Sequence, residues 1–188
     1  VYFVSLGCPK NLVDSQVMLG MLAKERYKVT ESAQDAEVII VNTCSFIEAS
    51  KEESIETILD MAEFKNSGKC KVLVASGCLA QRYSKKLEGE MPEVDLFIGT
   101  GQYHRITELL SMRERALEIG APLPKRSYID QPAFIHTEKD PRTHTGPRYT
   151  AYLKLSEGCN RRCAFCIIPT LRGNVRSRTV ESLVIEAR

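Results

Sequence analysis

Residues 157–169, EGCNRRCAFCIIP, hold three cysteines within eight positions: Cys159, Cys163 and Cys166, in the spacing C-x3-C-x2-C. Thiolates this close together suit zinc or an iron–sulfur cluster. A structural zinc site takes four protein ligands, with a fourth Cys or His a short distance on, and none follows here. His104, His136 and His144 all lie upstream and read as surface histidines rather than ligands. Simple electron carriers also use four cysteines per cluster. Three thiols on a four-iron cube leave one iron with an open position, and a small-molecule ligand needs such a position. The missing fourth cysteine is therefore informative.

Four more cysteines are scattered through the first 80 residues. Cys8 follows VYFVSLG, Cys44 follows EVIIVNT and Cys78 follows KVLVASG, so each stands just past the carboxyl end of an expected strand. In an open α/β sheet those ends form the edge where ligands bind. Parallel neighbours lie about 4.8 Å apart, so thiols on adjacent strand ends can converge on one small inorganic centre. Gly7 and Gly77 precede two of the three, where a tight turn or close backbone approach favours a residue without Cβ. Cys70 differs because it precedes its strand. At about 3.3 Å per residue it falls roughly 25 Å from Cys78, on the opposite edge, and it reads as an inert, buried thiol.

The elements that carry these cysteines repeat one grammar over residues 1–120: an apolar β-prone run, a turn, then helical periodicity. Strands are expected over 2–6, 27–30, 37–42, 71–76 and 94–99, and helices over 11–26, 49–64, 81–90 and 102–118. Alternating strands and helices predict a parallel, doubly wound α/β sheet. Residues 121–147 hold five of the eight prolines and show no sustained period, so they read as a linker or irregular connection. Order resumes in 148–188. The alternation of Tyr149, Ala151, Leu153 and Leu155 suggests a strand, and Thr179 is placed to cap a helix running through Val184 to Arg188. This second domain reads as cut off after its first unit.

Composition sets outer limits. The 188 residues are 43 % hydrophobic and 27 % charged, the profile of a globular protein with material for a core. The apolar runs are too short to span a bilayer. Val1-Tyr2-Phe3-Val4 reads as a strand rather than a signal peptide, so a cytoplasmic location is the default. Seven cysteines is an odd number, which in a reducing compartment favours metal or catalytic roles over disulfides. From Tyr149 onward seven Lys/Arg stand against three Asp/Glu, leaving −2 for the first 148 residues of a chain whose net charge is +2. That asymmetry permits an anionic partner for the C-terminal piece without requiring one.

C-x3-C-x2-C directly after a strand, with an aromatic (Phe165) before the third cysteine, is similar to the signature of radical S-adenosylmethionine enzymes. Together with the distant trio, it resembles the methylthiotransferases, radical enzymes that insert a methylthio group at an unactivated C–H bond. The resemblance rests on SLGCPKNLVDSQ, NTCSFIEASKEESIE, SGCLAQRY and SEGCNRRCAFCIIPTLRGNVRSR. It covers both cysteine regions and leaves out the linker.

The resemblance implies a truncated start of a radical partial (βα) barrel after the N-terminal domain. It implies two 4Fe-4S clusters, one on Cys8, Cys44 and Cys78 and one on Cys159, Cys163 and Cys166. The second would bind S-adenosyl-L-methionine through its open iron beside Phe165 and generate a 5′-deoxyadenosyl radical. No catalytic side chain beyond the cluster ligands is nominated.

CPKN at Cys8 and FIEASKEESI after Cys44 look like the branch that modifies the β-carbon of an aspartate in a small-subunit ribosomal protein near the decoding centre. The implied partners are that protein or the ribosome, together with an electron donor. The alternatives are a tRNA adenosine methylthiotransferase, a zinc-stabilised nucleic-acid-binding module and a cluster-bearing electron carrier. Gln16 departs from the family, which usually has Glu there. Asn11 and Asp14 either orient the Cys8 loop or cap a helix. Arg161, Arg162, Arg172, Arg176 and Arg178 either meet the cofactor carboxylate or the partner, or are solvated surface charge. Parts absent from this sequence would hold most of the cofactor pocket, so the chain alone is expected to be inactive. It is expected to assemble the first site but to hold the second poorly.

Overall fold

Five apolar runs become the strands of one parallel sheet. In the computed structural model, which describes residues 1–122 and 125–188, they are β1 (Tyr2–Ser5), β2 (Val38–Thr43), β3 (Val72–Gly77), β4 (Leu96–Ile98) and β5 (Ser127–Tyr128). Every residue of β2, β3 and β4 is buried, which explains their continuous rather than alternating apolar sequence. The order along the sheet is β1-β2-β3-β4-β5. It never reverses, so the crevice at a switch point that a doubly wound sheet would offer is absent. Hydrophobic periodicity specifies which residues are buried but not which strand lies beside which.

Four long helices cover the two faces: α1 (Pro9–Lys24), α2 (Glu48–Ala62), α4 (Cys78–Glu90) and α5 (Ile106–Glu118), with a single turn, α3 (Phe64–Ser67), following α2. Val38, Ile40, Val72, Val74, Leu96 and Ile98 pack under Val17, Met18 and Leu22 of α1 and Ile106, Leu109 and Leu110 of α5. The alternate residues Ile39, Val41, Leu73 and Phe97 pack against Ile58 of α2 and Leu79 and Leu87 of α4. Each large apolar side chain fully buried in this way contributes about 1.5–3 kcal/mol. Truncating Ile40, at the centre of one face, to alanine would cost about 2–5 kcal/mol.

Three expectations are corrected. Residues 27–30 form no strand: Thr30 N–H donates to Val1 O at 2.9 Å, but no ladder follows. The proline-rich stretch is not merely a connection, because it supplies β5, whose Ser127 and Tyr128 pair with Phe97 and Ile98. A two-residue strand is too short for a period to register. Its residues 123 and 124 lie outside the described residues. Residues 149–155 alternate in type but form no strand: Leu155 O accepts from Arg178 N–H at 3.0 Å next to β6, while Tyr149, Leu153 and Leu155 have exposed side chains. A strand is stable only with a partner, and no described strand lies beside residues 149–154.

Beyond that segment β6 (Ser156–Glu157) pairs antiparallel with β7 (Arg176–Ser177). Between them lie the cysteine loop and a short helix, α6 (Ile168–Arg172). The last helix, α7 (Val180–Ala187), is capped by Thr179, whose hydroxyl accepts from Ser182 N–H at 3.2 Å, as expected. None of the helices described is long and apolar enough to cross a membrane.

Candidate metal centre

The register places Cys44 and Cys78 at one level of the sheet, with Cys8 one residue beyond it on the β1 side. Thr43 is opposite Gly77, so the next residues, Cys44 and Cys78, leave adjoining strands together. Ser5 is opposite Asn42, and Leu6 N–H continues the ladder to Asn42 O at 2.9 Å, which brings Gly7 beside Cys44. Gly7 has φ +88°, and a Cβ there would stand 2.7 Å from Cys44 Cβ and 3.0 Å from its Sγ. Only glycine allows the β1 end to approach Cys44 this closely. Gly77, at φ +94°, makes the corresponding turn before Cys78, where a Cβ would lie 2.6 Å from Thr43 O.

Helix starts reinforce the placement. Cys8 is the N-cap of α1, with Pro9 in its first turn, and Cys78 is the first residue of α4. Both helices therefore begin earlier than their periodicity suggested, and both direct the positive ends of their dipoles to the cysteine edge. That field favours thiolate over thiol. Burial opposes it at Cys78, pushing the thiol up to about 11 even with Arg172 nearby. Binding a metal there releases a proton. Ser54 of α2 fixes Cys44 by accepting from its N–H at 3.0 Å, with Cys44 O 2.9 Å from the same hydroxyl. Asn11 Nδ2 donates to Leu6 O at 3.1 Å and to Thr43 O at 2.8 Å, tying together the two strand ends that precede Cys8 and Cys44. Asn11 therefore orients the loop and does not cap the helix.

The second trio lies on a loop pinned at its neck. Cys159 N–H donates to Gly173 O at 3.0 Å, and Asn160 Oδ1 accepts from Val175 N–H at 2.9 Å. Within the loop, Arg161 N–H points at Cys159 Sγ at 3.4 Å, and Cys166 N–H donates to Cys163 O at 3.1 Å. Cys163 is exposed, Cys159 and Cys166 are half-buried, and Phe165 is 94 % exposed. The loop lies beside a shallow cleft formed by Gly158, Cys159, Asn160, Arg161 and Val175.

Between the two trios lies a buried ionic cluster. Arg172 NH1 reaches Asp14 Oδ2 at 2.5 Å and Glu157 Oε2 at 3.1 Å, while Lys154 pairs with Asp14 and stands 2.8 Å from Glu157 Oε2. All four side chains are at most 5 % exposed. Arg172 NH2 also donates to Asn11 Oδ1 and lies 3.7 Å from Cys78 Sγ. Burial pushes the Glu157 carboxyl up, but the charges of Arg172 and Lys154 outweigh that and hold it at about 2. Lys10 adds a bond from its more exposed position to Ser156 O, at 2.9 Å. Residues flanking Cys8 and Cys78 are thus locked to residues flanking the second cysteine loop.

Several sequence expectations change here. Arg172 and Arg178 are not solvated charges: Arg178 is buried against Ser182, His136 and Glu186. Arg161 and Arg162 are exposed, and Arg176 is half-buried, donating to Asn174 O and Arg172 O. His136 is buried and not a surface residue; its side chain lies 3.7 Å from Glu186. His104 is half-buried and stacks on Phe134, and His144 is exposed. Cys70 is buried before β3, as expected, and burial raises its thiol. Gln16 accepts from Arg142 Nε at 2.9 Å and donates to Thr145 O at 3.1 Å, a donation that glutamate could not make. Lys154, Glu157 and Ser54 escaped the sequence reading. A Lys and a Glu three apart, directly before the cysteine loop, were the available signal.

The donor set fits iron–sulfur chemistry. Three free thiols stand on adjoining strand ends around a glycine cradle, and three more stand on one open loop. Among the described residues no three His, Cys, Asp or Glu side chains are grouped as ligands of a single ion. A cube takes one thiolate on each of several irons, which asks for thiols spread around a rim. Fold and geometry together define a parallel α/β protein with three cysteines along one sheet edge and three on one loop.

The chain belongs to the family described as uncharacterized protein family UPF0004, whose profile matches residues 1–99. Over its whole length it is 52 % identical to the ribosomal protein uS12 methylthiotransferase RimO of Geobacter sulfurreducens, covering 41 % of that protein. It is also 52 % identical to the protein of the same description from Myxococcus xanthus, covering 38 %, and 46 % identical to that from Bdellovibrio bacteriovorus, covering 40 %. The chain thus spans about two fifths of the length of these curated relatives.

Proposed function

We propose that this chain forms the cluster-bearing part of a radical S-adenosylmethionine methylthiotransferase acting on an aspartate of a small-subunit ribosomal protein. Residues 1–120 form its N-terminal domain and residues from about 148 onward begin its radical domain. The reading is carried by one observation: Cys44 and Cys78 leave adjoining strands at one level, Cys8 follows the glycine that lies beside Cys44 on the next strand, and three further thiols share the loop tethered beside them. The relatives' description as uS12 methylthiotransferases supports the ribosomal substrate over tRNA.

In this reading Cys8, Cys44 and Cys78 hold one 4Fe-4S cluster, and Cys159, Cys163 and Cys166 hold the other. When bound, the clusters and S-adenosylmethionine supply the one-electron chemistry that takes hydrogen from an unactivated C–H bond. The chain's own residues position and shield. Gly7 and Gly77 open the space for the first centre, Asn11 and Ser54 fix the backbone that presents it, and the dipoles of α1 and α4 stabilise its thiolates. In this reading Phe165 and Arg161, both exposed beside the second trio, would meet the methionine portion of the cofactor. No general acid or base is needed, because the hydrogen removed is not acidic.

The test is mass spectrometry of ribosomal proteins and tRNA from a strain lacking the gene. Loss of a methylthio mark from the small-subunit protein, with the tRNA marks intact, is expected. Loss from tRNA alone would overturn the assignment of substrate. A purified protein that took up zinc in place of iron, under anaerobic reconstitution with iron and sulfide, would overturn the chemistry.

A further inference from the structure

The buried cluster around Arg172 is unusual in what it touches. Its carboxylates, Asp14 and Glu157, are met by Lys154, by NH1 of Arg172 and, at the exposed edge of Glu157, by Lys10, so the other arm of the guanidinium faces no carboxylate. That arm, NH2, is turned toward Asn11 Oδ1 and Cys78 Sγ, the sulfur 3.7 Å away. Asn11 Oδ1 stands 3.7 Å from the same sulfur. Arg172 sits at the end of α6, six residues beyond Cys166, and Glu157 stands two residues before Cys159. The polypeptide that carries the second cysteine loop therefore delivers a buried cation to a sulfur of the first.

We propose that Arg172 is a positioning residue for the N-terminal cysteine site: held by Asp14, Glu157 and Asn11, it donates a hydrogen bond to Cys78 Sγ and sets the redox potential of the iron–sulfur centre that Cys78 ligates. The inference rests on the function proposed above. Its physics is general. A cluster that takes up one electron gains negative charge on its sulfurs, with no bond formed or broken. A donor and a cation beside a ligating sulfur stabilise that reduced form, and low surrounding dielectric magnifies the effect. The planar fork of arginine serves two acceptors on one side and the sulfur on the other, whereas lysine is a compact point charge. The arrangement also couples the sites, because Arg172 cannot reach Cys78 unless the second loop is seated.

The experiment is potentiometric titration, followed by electron paramagnetic resonance, of the intact protein reconstituted anaerobically, with the second trio replaced by alanine so that a single cluster is read. Arg172→Lys keeps a cation between Asp14 and Glu157 but withdraws the donor from Cys78. The reduced-to-oxidised ratio at fixed potential is expected to fall about tenfold, equivalent to about 59 mV toward more negative values for one electron. Lys154→Met, which breaks the same ionic cluster without touching the sulfur, is expected to lower stability and leave the potential in place. Equal shifts in both variants, or none in Arg172→Lys, would overturn the inference.

Should Arg172→Lys fail to fold, the protein with only the second trio replaced, labelled with 15N-arginine, reads the same contact. A weak 15N coupling to the reduced cluster supports the proposal, and its absence overturns it. Failure of the parent protein to form any iron–sulfur spectrum would instead bring down the functional reading, and this inference with it.

Discussion

Replacing Asp14 with asparagine isolates the electrostatics of the junction between the two cysteine regions. The substitution conserves volume, so no cavity opens, and it removes one negative charge from a cluster holding two anions and two buried cations. Asp14 is 4 % exposed at the side chain and is bonded to both Lys154 and Arg172. Without it Glu157 alone faces both cations, and the new amide presents a donor toward one of them. Removing one partner of a buried ion pair costs about 3–5 kcal/mol. Because Glu157 and the asparagine oxygen retain part of the interaction, the lower end, about 3 kcal/mol, is expected. For a chain of this size each kcal/mol corresponds to about 2–4 °C in Tm, so the midpoint should drop by roughly 6–12 °C.

Urea and thermal unfolding under reducing, metal-free conditions would measure the loss. The companion variant Asp14→Asn with Lys154→Met restores the balance of buried charges, Arg172 against Glu157, and it should recover at least half of the loss in a double-mutant cycle. A cost below about 1 kcal/mol with no coupling to Lys154, the range of exposed pairs, would refute the buried cluster as the clamp.

Three further outcomes follow from the same geometry. Gly7→Ala forces a side chain into φ +88° and against Cys44; a stability loss of about 1–3 kcal/mol and a fall in iron bound by the first trio are expected, read by denaturant melts and iron analysis. Cys70→Ala should leave iron content unchanged while Cys8→Ala, Cys44→Ala and Cys78→Ala each lower it, because Cys70 is buried at the other end of β3. His136 is held below its usual pKa by burial and by Lys154 and Arg178, against the opposing pull of Glu186 and Asp14. Its contribution is therefore fully present above about pH 6.5 and is lost as the pH falls below that value. The urea midpoint should decline between about pH 7 and 5, and His136→Gln should flatten that slope.

The cysteine sites were legible because their signals are local. C-x3-C-x2-C is a spacing along a loop, and Cys8, Cys44 and Cys78 each follow a strand recognisable from a few apolar residues. Since parallel strands begin and end in step, strand ends alone placed three thiols on one edge. Gly7 and Gly77 were visible for the same reason, as residues at turns. The early starts of α1 and α4 were missed because Cys8, Pro9 and Lys10 carry no helical period and Leu79 and Ala80 read as a continuation of the apolar run of β3.

The junction left only one local trace, the Lys154–Glu157 spacing. Arg172 and Asp14 are separated by 158 positions, and Lys154 and Asp14 by 140. Charges in a sequence read as solvated until a fold desolvates them, and no spacing rule connects residues so far apart. Strand order and the absence of a strand at 149–155 are of the same kind. Alternation records which side chains would face a core, whereas pairing requires a neighbour that only the assembled chain provides. Local sequence thus determined which thiols stand at one sheet edge and which share one loop. Tertiary packing decided that a buried arginine from beside one site reaches a sulfur of the other.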